Sequence, residues 1–196
     1  MSSLINKNVF KIYNQDIFLR DTGVEDIDDY IIWNTKEVEW QDWDAPWEKE
    51  ENVNIGELKI ELLKKLNKDL PKIRSRLEVC YVNGEHIGWV SSYFIDGNKT
   101  KFAIGIDIVN NEFRNKKLGE AAFSLFISYV LKSKQSLDIY TQTWSVNERM
   151  IGLAKKCGFK EVNREINIRK VIGNLYDGLT FKLNKELFWN RFKYLK

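Results

Sequence analysis

The sequence predicts an α+β fold, a single domain in which a mixed, mostly antiparallel sheet of about seven strands is flanked by helices. Three observations predict it. Strand-like apolar runs and helix-like apolar runs follow one another as strand, two helices, three strands, helix, strand, helix and two strands, an order that neither a doubly wound sheet nor a sandwich produces. Asn83-Gly84 and Asp96-Gly97-Asn98 separate consecutive strand-like runs and mark tight turns. The chain of 196 residues, 43% hydrophobic and 30% charged, is long enough for one proper core and shows no repeat, linker or low-complexity tract.

Taken in order, residues 17–22 read as a first strand and 24–34 as a helix with Ile27, Tyr30 and Ile31 on one face. The stretch from Glu37 to Glu51 sets Trp40, Trp43 and Trp47 among acids and is broken by Pro46. Residues 55–66 place Leu58, Leu62, Leu63 and Leu66 at helical spacing, and Pro71 closes that helix. Runs 77–82, 87–95 and 100–109, joined by the two turns, form an antiparallel meander. Residues 118–132 make a long amphipathic helix, 137–143 a strand, and 147–157 a helix stopped by Gly158. Strands 159–168 and 175–183 complete the sheet. An amphipathic tail, 185–196, carries Leu187, Phe188, Trp189 and Phe192, which either pack on their own domain or form a dimer seam.

Composition removes several functions. A net charge of +3 without a clustered patch argues against nucleic acid. The cations Lys155, Lys156, Lys160, Arg164, Arg169 and Lys170 are interleaved with acids. Two cysteines, Cys80 and Cys157, and a single histidine, His86, offer neither a disulfide framework nor a metal-ligand cluster, so no metal is expected. His86 follows Asn83-Gly84 and reads as a residue flanking a turn. No apolar run reaches membrane-spanning length, and the first seven residues lack the apolar centre of a signal peptide, so a cytoplasmic protein without membrane partners is expected.

The chemistry is concentrated where strand 100–109 runs into Asn110-Asn111-Glu112-Phe113-Arg114-Asn115-Lys116-Lys117 and opens the helix at Leu118-Gly119-Glu120-Ala121. Amides at a helix start lack intrahelical partners, and the dipole adds positive charge there, so a diphosphate suits the position. Arg114, Lys116 and Lys117 add charge, and Gly119 permits close backbone approach; each charge-assisted hydrogen bond contributes roughly 1.5–3 kcal/mol. Neither a Walker loop nor a Rossmann fingerprint is present.

This stretch resembles the pyrophosphate loop of the GNAT acetyltransferases, Gln/Arg-x-x-Gly-x-Gly/Ala, with Lys117 at the first glycine position. Asn147-Glu148-Arg149-Met150-Ile151-Gly152-Leu153-Ala154-Lys155-Lys156-Cys157-Gly158-Phe159 is similar to the later helix of the same family. The tail Leu175 to Leu183 looks like the closing strand of the branch holding ribosomal-protein N-terminal and spermidine acetyltransferases. The resemblance spans about residues 17–183. It implies an acetyl-CoA-dependent N-acetyltransferase acting on a primary amine in a ternary complex. It also implies a sheet splayed between the fourth and fifth strands, with coenzyme contacts at Ile108, Val109, Arg114, Asn115, Lys116, Lys117, Leu118, Gly119, Glu120 and Asn147. Asn147 reads equally as a plain helix cap.

The family's usual glutamate base and tyrosine acid fall at Gln142 and Ala154, neither of which can serve. Asp107, an acid within an apolar strand, is the first candidate for substrate binding or base, or else pairs with a Lys or Arg of a neighbouring strand, with Ser145 or Tyr140 as proton relays. Trp40, Trp43 and Asp44 are candidates for holding a cationic acceptor, a small molecule or a peptide terminus, through aromatic faces and charge; alternatively the tryptophans anchor the loop in the core and the acids are solvated. A catalytically inactive acyl-CoA-binding or sensor module is the alternative, motivated by Gln142 and Ala154.

Overall fold

The computed structural model describes residues 10–14, 16–49 and 52–196. The amino-terminal residues read above for a signal peptide, and Glu51 at the end of the tryptophan-rich stretch, lie outside them. Eight strands form one sheet in the order β1-β2-β3-β4-β5-β6-β8-β7: β1 (Lys11–Asn14), β2 (Ile17–Arg20), β3 (Arg76–Tyr81), β4 (His86–Phe94), β5 (Phe102–Ile108), β6 (Ile139–Trp144), β7 (Phe159–Val171) and β8 (Asn174–Leu183). The helices are α1 (Ile27–Thr35), α2 (Ile55–Leu66), α3 (Leu118–Ser133), α4 (Glu148–Lys156) and α5 (Lys185–Arg191). Strand β1 is the one addition to the sequence reading; its four residues alternate too briefly to register as a period.

All neighbouring strands pair antiparallel except β5 and β6, which run parallel and pair only at Phe102–Ile139 and Ala103–Tyr140. Past that point the two strands part. The Thr141 hydroxyl closes the fork by donating to the Ile104 carbonyl at 2.8 Å. The sheet is therefore splayed where the family resemblance places the splay.

Strand alternation divides the sheet into two unlike faces. Leu77, Val79, Val90 and Ile104 join Phe123, Phe126, Ile127 and Val130 of α3 in the main core. Phe188, fully buried, and Phe192 join the same core, so the carboxy-terminal segment packs on its own domain. On the other face Tyr30 and Trp33 of α1 meet Trp89 and Val109, with Trp40 and Leu62 packed against them. In α2 only Leu58, Leu62 and Leu66 lean inward; Leu63, 38% exposed, points outward. Among the described residues, no helix is long and apolar enough to cross a membrane.

Candidate active site

The fork between β5 and β6 opens a cleft of about 530 Å³. The turn before α3, the start of α4, and the connection between α1 and α2 complete its walls. The start of α3 is the anion-seeking part. Helices α2, α4 and α5 each begin with an asparagine whose side chain accepts from a first-turn amide, namely Asn54, Asn147 and Asn184. At α3 the cap position is Lys117, and its side chain makes no cap bond. The first bond between α3 and its cap runs from the Ala121 amide to the Lys117 carbonyl, so the amides of Leu118, Gly119 and Glu120 precede it.

Lys117 has left-handed backbone angles, φ 63° and ψ 4°, and Asn115 has φ 61°. The family's glycine at Lys117's position thus has a physical reason, because that conformation disfavours residues with a Cβ by roughly 1–2 kcal/mol. The lysine keeps the turn and adds a charge. Gly119 has ordinary room: a Cβ there would lie 3.7 Å from Ile108.

The other predicted coenzyme residues divide. Ile108, Arg114, Asn115, Lys117, Gly119, Glu120 and Asn147 line the cleft, whereas Val109, Lys116 and Leu118 do not. Leu118 is buried in the core, and the Lys116 ammonium lies over Phe113, 5.4 Å from the ring centroid. Of the two β5-end contacts implied by the resemblance, Ile108 and Val109, only Ile108 turns its backbone to the fork. The Val109 amide donates to the Ile87 carbonyl at 2.9 Å, so by alternation Asp107 and Val109 turn their backbone groups to β4, and Ile106 and Ile108 turn theirs to the fork.

Arg114 also differs from its expected role beside a phosphate. Its Nε donates to the Ile108 carbonyl at 2.8 Å and its Nη2 to the Val109 carbonyl at 2.9 Å, while Nη1 meets Glu39. It ties the end of β5 to the α1–α2 connection. Glu120 pairs with Arg191 at 2.8 Å.

Asn147 does two jobs. Its Oδ1 accepts from the Met150 amide at 2.9 Å, which is the plain cap, and its Nδ2 donates to the Trp43 carbonyl at 2.6 Å. The Trp144 indole donates to the same carbonyl at 2.9 Å. The Arg149 guanidinium lies 4.0 Å from the Trp43 ring centroid and Arg169 4.5 Å from that of Trp47. The tryptophan-rich connection is therefore a strap fastened across the cleft to β6, α4 and β7. Trp40, Trp43 and Asp44 all line that cleft.

Asp107 lines the same cleft, with Trp89 as its register partner on β4. Loss of hydration and the nearby Asp44 carboxylate push its carboxyl well above the usual range, against the opposing pull of Arg76 and Arg114. Asp44, at the exposed mouth, is raised by partial desolvation and then by Glu48. Ser145 is not brought into this group: its Oγ accepts from the Asp177 amide at 3.2 Å, at the β6–β8 edge. Tyr140 lies under the Lys182 ammonium and is likewise outside the cleft. Ala154 is fully buried, and Cys157, also fully buried, has its thiol pushed up to about 12 by burial, with Glu120 adding to the shift.

Sequence reading missed two participants. Tyr93, on the same face of β4 as Trp89, donates to Gln142 Oε1 at 3.2 Å, and its phenol is pushed up to about 12 by desolvation and then by Asp44. The spacing Trp89-Ser91-Tyr93 carried the signal, since alternate residues share a face. His86 was read as a turn flank. It does open β4, but its side chain, 4% exposed, is buried between Asp29 at 2.9 Å and Glu78 at 3.0 Å. Asp26, Asp29 and His86 lie close enough to share an ion, yet Arg20 already holds both oxygens of Asp26 at 2.7 and 2.5 Å.

The arrangement matches known proteins. The profile of the family described as "Acetyltransferase (GNAT) domain" matches residues 16–160. An uncharacterised protein from Bacillus halodurans has a similar structure at 18% identity and TM-score 0.70, the match covering 95% of each chain. A GNAT-family acetyltransferase from Bacillus anthracis is 12% identical with TM-score 0.70, covering 90% of this chain and 99% of that one. A spermidine N-acetyltransferase from Vibrio cholerae, solved with CoA and spermine, is 20% identical with TM-score 0.66, covering 90% and 100%. No curated protein matches. With most of its length matched by the family profile and its sheet forked beside an open helix start, the chain belongs to the GNAT acetyltransferase family.

Proposed function

We propose that the chain transfers an acetyl group from acetyl-CoA to a cationic primary amine by direct attack in a ternary complex. One observation carries this reading: a single cleft is lined both by the uncapped start of α3 and by the carboxylates Asp107 and Asp44. A polyanionic thioester carrier and a cationic acceptor are thereby drawn to the same gap.

In this reading the amides of Leu118, Gly119 and Glu120, with Lys117 beside them, bind the diphosphate. The Ile106 backbone and the Ile108 amide are offered to the pantetheine arm, the Ile108 carbonyl being held by Arg114, and one of these amides stabilises the oxyanion. Asp107 accepts a proton from the acceptor's ammonium, which frees the nitrogen lone pair. The nitrogen then forms its bond to the thioester carbon as the carbon–sulfur bond breaks. The departing thiolate takes up the second amine proton. Tyr93, held protonated by its high pKa, and Gln142 shape the acceptor wall.

A second cavity, of about 440 Å³, adjoins the first and shares Trp40 and Asp44 with it; Glu48, Glu57 and Glu61 also line it. Among the described residues its single cation, Lys49, is paired with Asp42 at 2.6 Å. An acceptor carrying further positive charge, such as a polyamine, an aminoglycoside or a basic peptide terminus, suits this lining. The spermine-bound spermidine N-acetyltransferase with the same fold is in keeping with such an acceptor.

Calorimetry with coenzyme A, followed by free-thiol release from acetyl-CoA across a panel of amines, tests the proposal. The absence of coenzyme binding sinks it. Tight binding with no turnover on any amine favours the second reading, an acyl-CoA-binding sensor, whose supporting observation is the absence of the family's usual acid and base at Gln142 and Ala154.

A further inference from the structure

The strap between α1 and α2 is fastened to the two sides of the fork by different groups. On the β6 side the Trp43 carbonyl accepts from Trp144 Nε1 at 2.9 Å and from Asn147 Nδ2 at 2.6 Å. From β5 and the turn after it, among the described residues, a single hydrogen bond reaches the strap: Arg114 Nη1 donates to the Glu39 carboxylate.

Glu39 has two further partners. The Trp43 indole N–H donates to its Oε1 at 2.7 Å, and Arg149 Nη1, at the start of α4, lies 3.9 Å from the same oxygen. The Arg149 guanidinium also covers the Trp43 ring, 4.0 Å from its centroid. Trp43, Arg114 and Arg149 all line the cleft, whereas Glu39 does not. One carboxylate outside the lining thus joins three side chains within it.

The rest of Arg114 is committed to backbone, with Nε and Nη2 donating to the carbonyls of Ile108 and Val109. Those acceptors are neutral, so Glu39 is its counterion. The planar guanidinium therefore holds the end of β5 on one edge and the strap on another. Without the Glu39 carboxylate, the strap keeps its ties to β6 and loses its tie to β5. Asp44 directly follows Trp43 on the strap, and Asp107 stands on β5; both line the cleft. What Glu39 fixes is the placement of one against the other. Its side chain is 46% exposed, so the pairing contributes little to folding stability.

We propose that Glu39 is a positioning residue for the acceptor: by joining Arg114, Arg149 and Trp43 it holds the strap across the fork and sets Asp44 against Asp107. The proposal rests on the reading of this cleft as the place where a cationic amine meets the thioester. It leaves the diphosphate to the α3 amides, which Glu39 does not touch.

Calorimetry on the full chain, with coenzyme A and separately with spermine, tests it. In Glu39→Ala the spermine dissociation constant rises about tenfold, the scale of a displaced contact, while coenzyme A affinity and the melting temperature are nearly unchanged. Glu37→Ala removes a strap carboxylate of the same charge without these contacts and leaves spermine affinity unchanged. An equal loss in both variants would mean that charge alone matters, and a parallel weakening of both ligands with a lower melting temperature would mean a merely structural glutamate. Either result overturns the proposal. A ligand-free readout stands beside these: the Trp43 indole N–H signal in NMR, identified by its loss in Trp43→Phe, shifts in Glu39→Ala, and an unmoved signal also overturns the proposal. If the wild type binds coenzyme A but not spermine, the acceptor reading is what fails, and the Trp43 signal decides whether Glu39 holds the strap.

Discussion

On the α3 side of the sheet, Leu77, Val79, Val90 and Ile104 meet Phe123, Phe126 and Ile127, and nearly every contact is apolar. One residue along the same strands, on the α1 side, stand Arg76, Glu78, Trp89 and Asp107, joined by His86 and Tyr30. The first face holds the domain together by removing hydrocarbon from water, at about 25 cal/mol per Å². The second face buries charge, which contributes little net stability and becomes strongly destabilising when one partner is lost. This face carries Asp107, which lines the cleft. The contrast shows how the alternation of single strands separates the apolar core from the charged face in this chain.

The largest break in the comparison comes from removing the candidate base. Asp107→Asn is expected to lower kcat/KM by about 10²–10⁴-fold, with coenzyme affinity by calorimetry and the melting temperature nearly unchanged. If Asp107 is the base, kcat/KM of the wild type is expected to fall on the acid side at a pH well above the ordinary carboxylate range, because its pKa is raised by burial and by Asp44. On the opposite face, Phe126→Ala is expected to cost about 3–5 kcal/mol in denaturant titrations while leaving the acceptor KM of the folded fraction unchanged. A large KM change there would mean the two faces are coupled.

The polar face should also make stability depend on pH. His86 has a raised pKa: desolvation lowers it, but the larger sum of Glu78, Asp26 and Asp29 raises it. Its contribution is therefore complete below the ordinary histidine value and is lost as pH rises through the folded value. Glu78 is lowered, since its hydrogen bonds from His86 and Thr22 and the charges of Arg76 and His86 outweigh desolvation. Its contribution is present above the ordinary glutamate value and lost as pH falls through the folded one. The melting temperature should thus be highest between the two ordinary values, and His86→Asn should flatten the alkaline side. A decline on the alkaline side that persists in the variant would remove His86 as its cause.

The smallest effect sharpens the picture at α3. Lys117→Gly relieves the left-handed strain and is expected to stabilise the fold by about 0.5–1 kcal/mol, less than the full strain because glycine is freer when unfolded. The same variant should bind coenzyme A more weakly at low salt, with the difference shrinking as ionic strength rises, because it removes an exposed cation. Unchanged affinity at every salt concentration would exclude Lys117 from the phosphate site.

Much of this was legible from residue order. Periodicity located every helix, and the Asn83-Gly84 turn set the β3–β4 hairpin, because these signals depend on neighbours within a few positions. The basic strand-to-helix turn was legible for the same reason. Tyr93 and the buried role of His86 were not, since each depends on groups far away in the chain, Gln142 in one case and Asp29 and Glu78 in the other. Arg114 and Asn147 were seen as cleft residues, but their hydrogen bonds bind the strap and the end of β5.

By itself, then, the sequence determined the elements, the family and the helix start that suits an anion, because local periodicity and unsatisfied amides follow from the chain's immediate order. Which charges meet across strands was decided only in three dimensions. Asp44 joins Asp107 at one cleft, and Arg76 stands behind them, because the strap and β3 are brought to β5 by long-range packing that residue spacing does not encode.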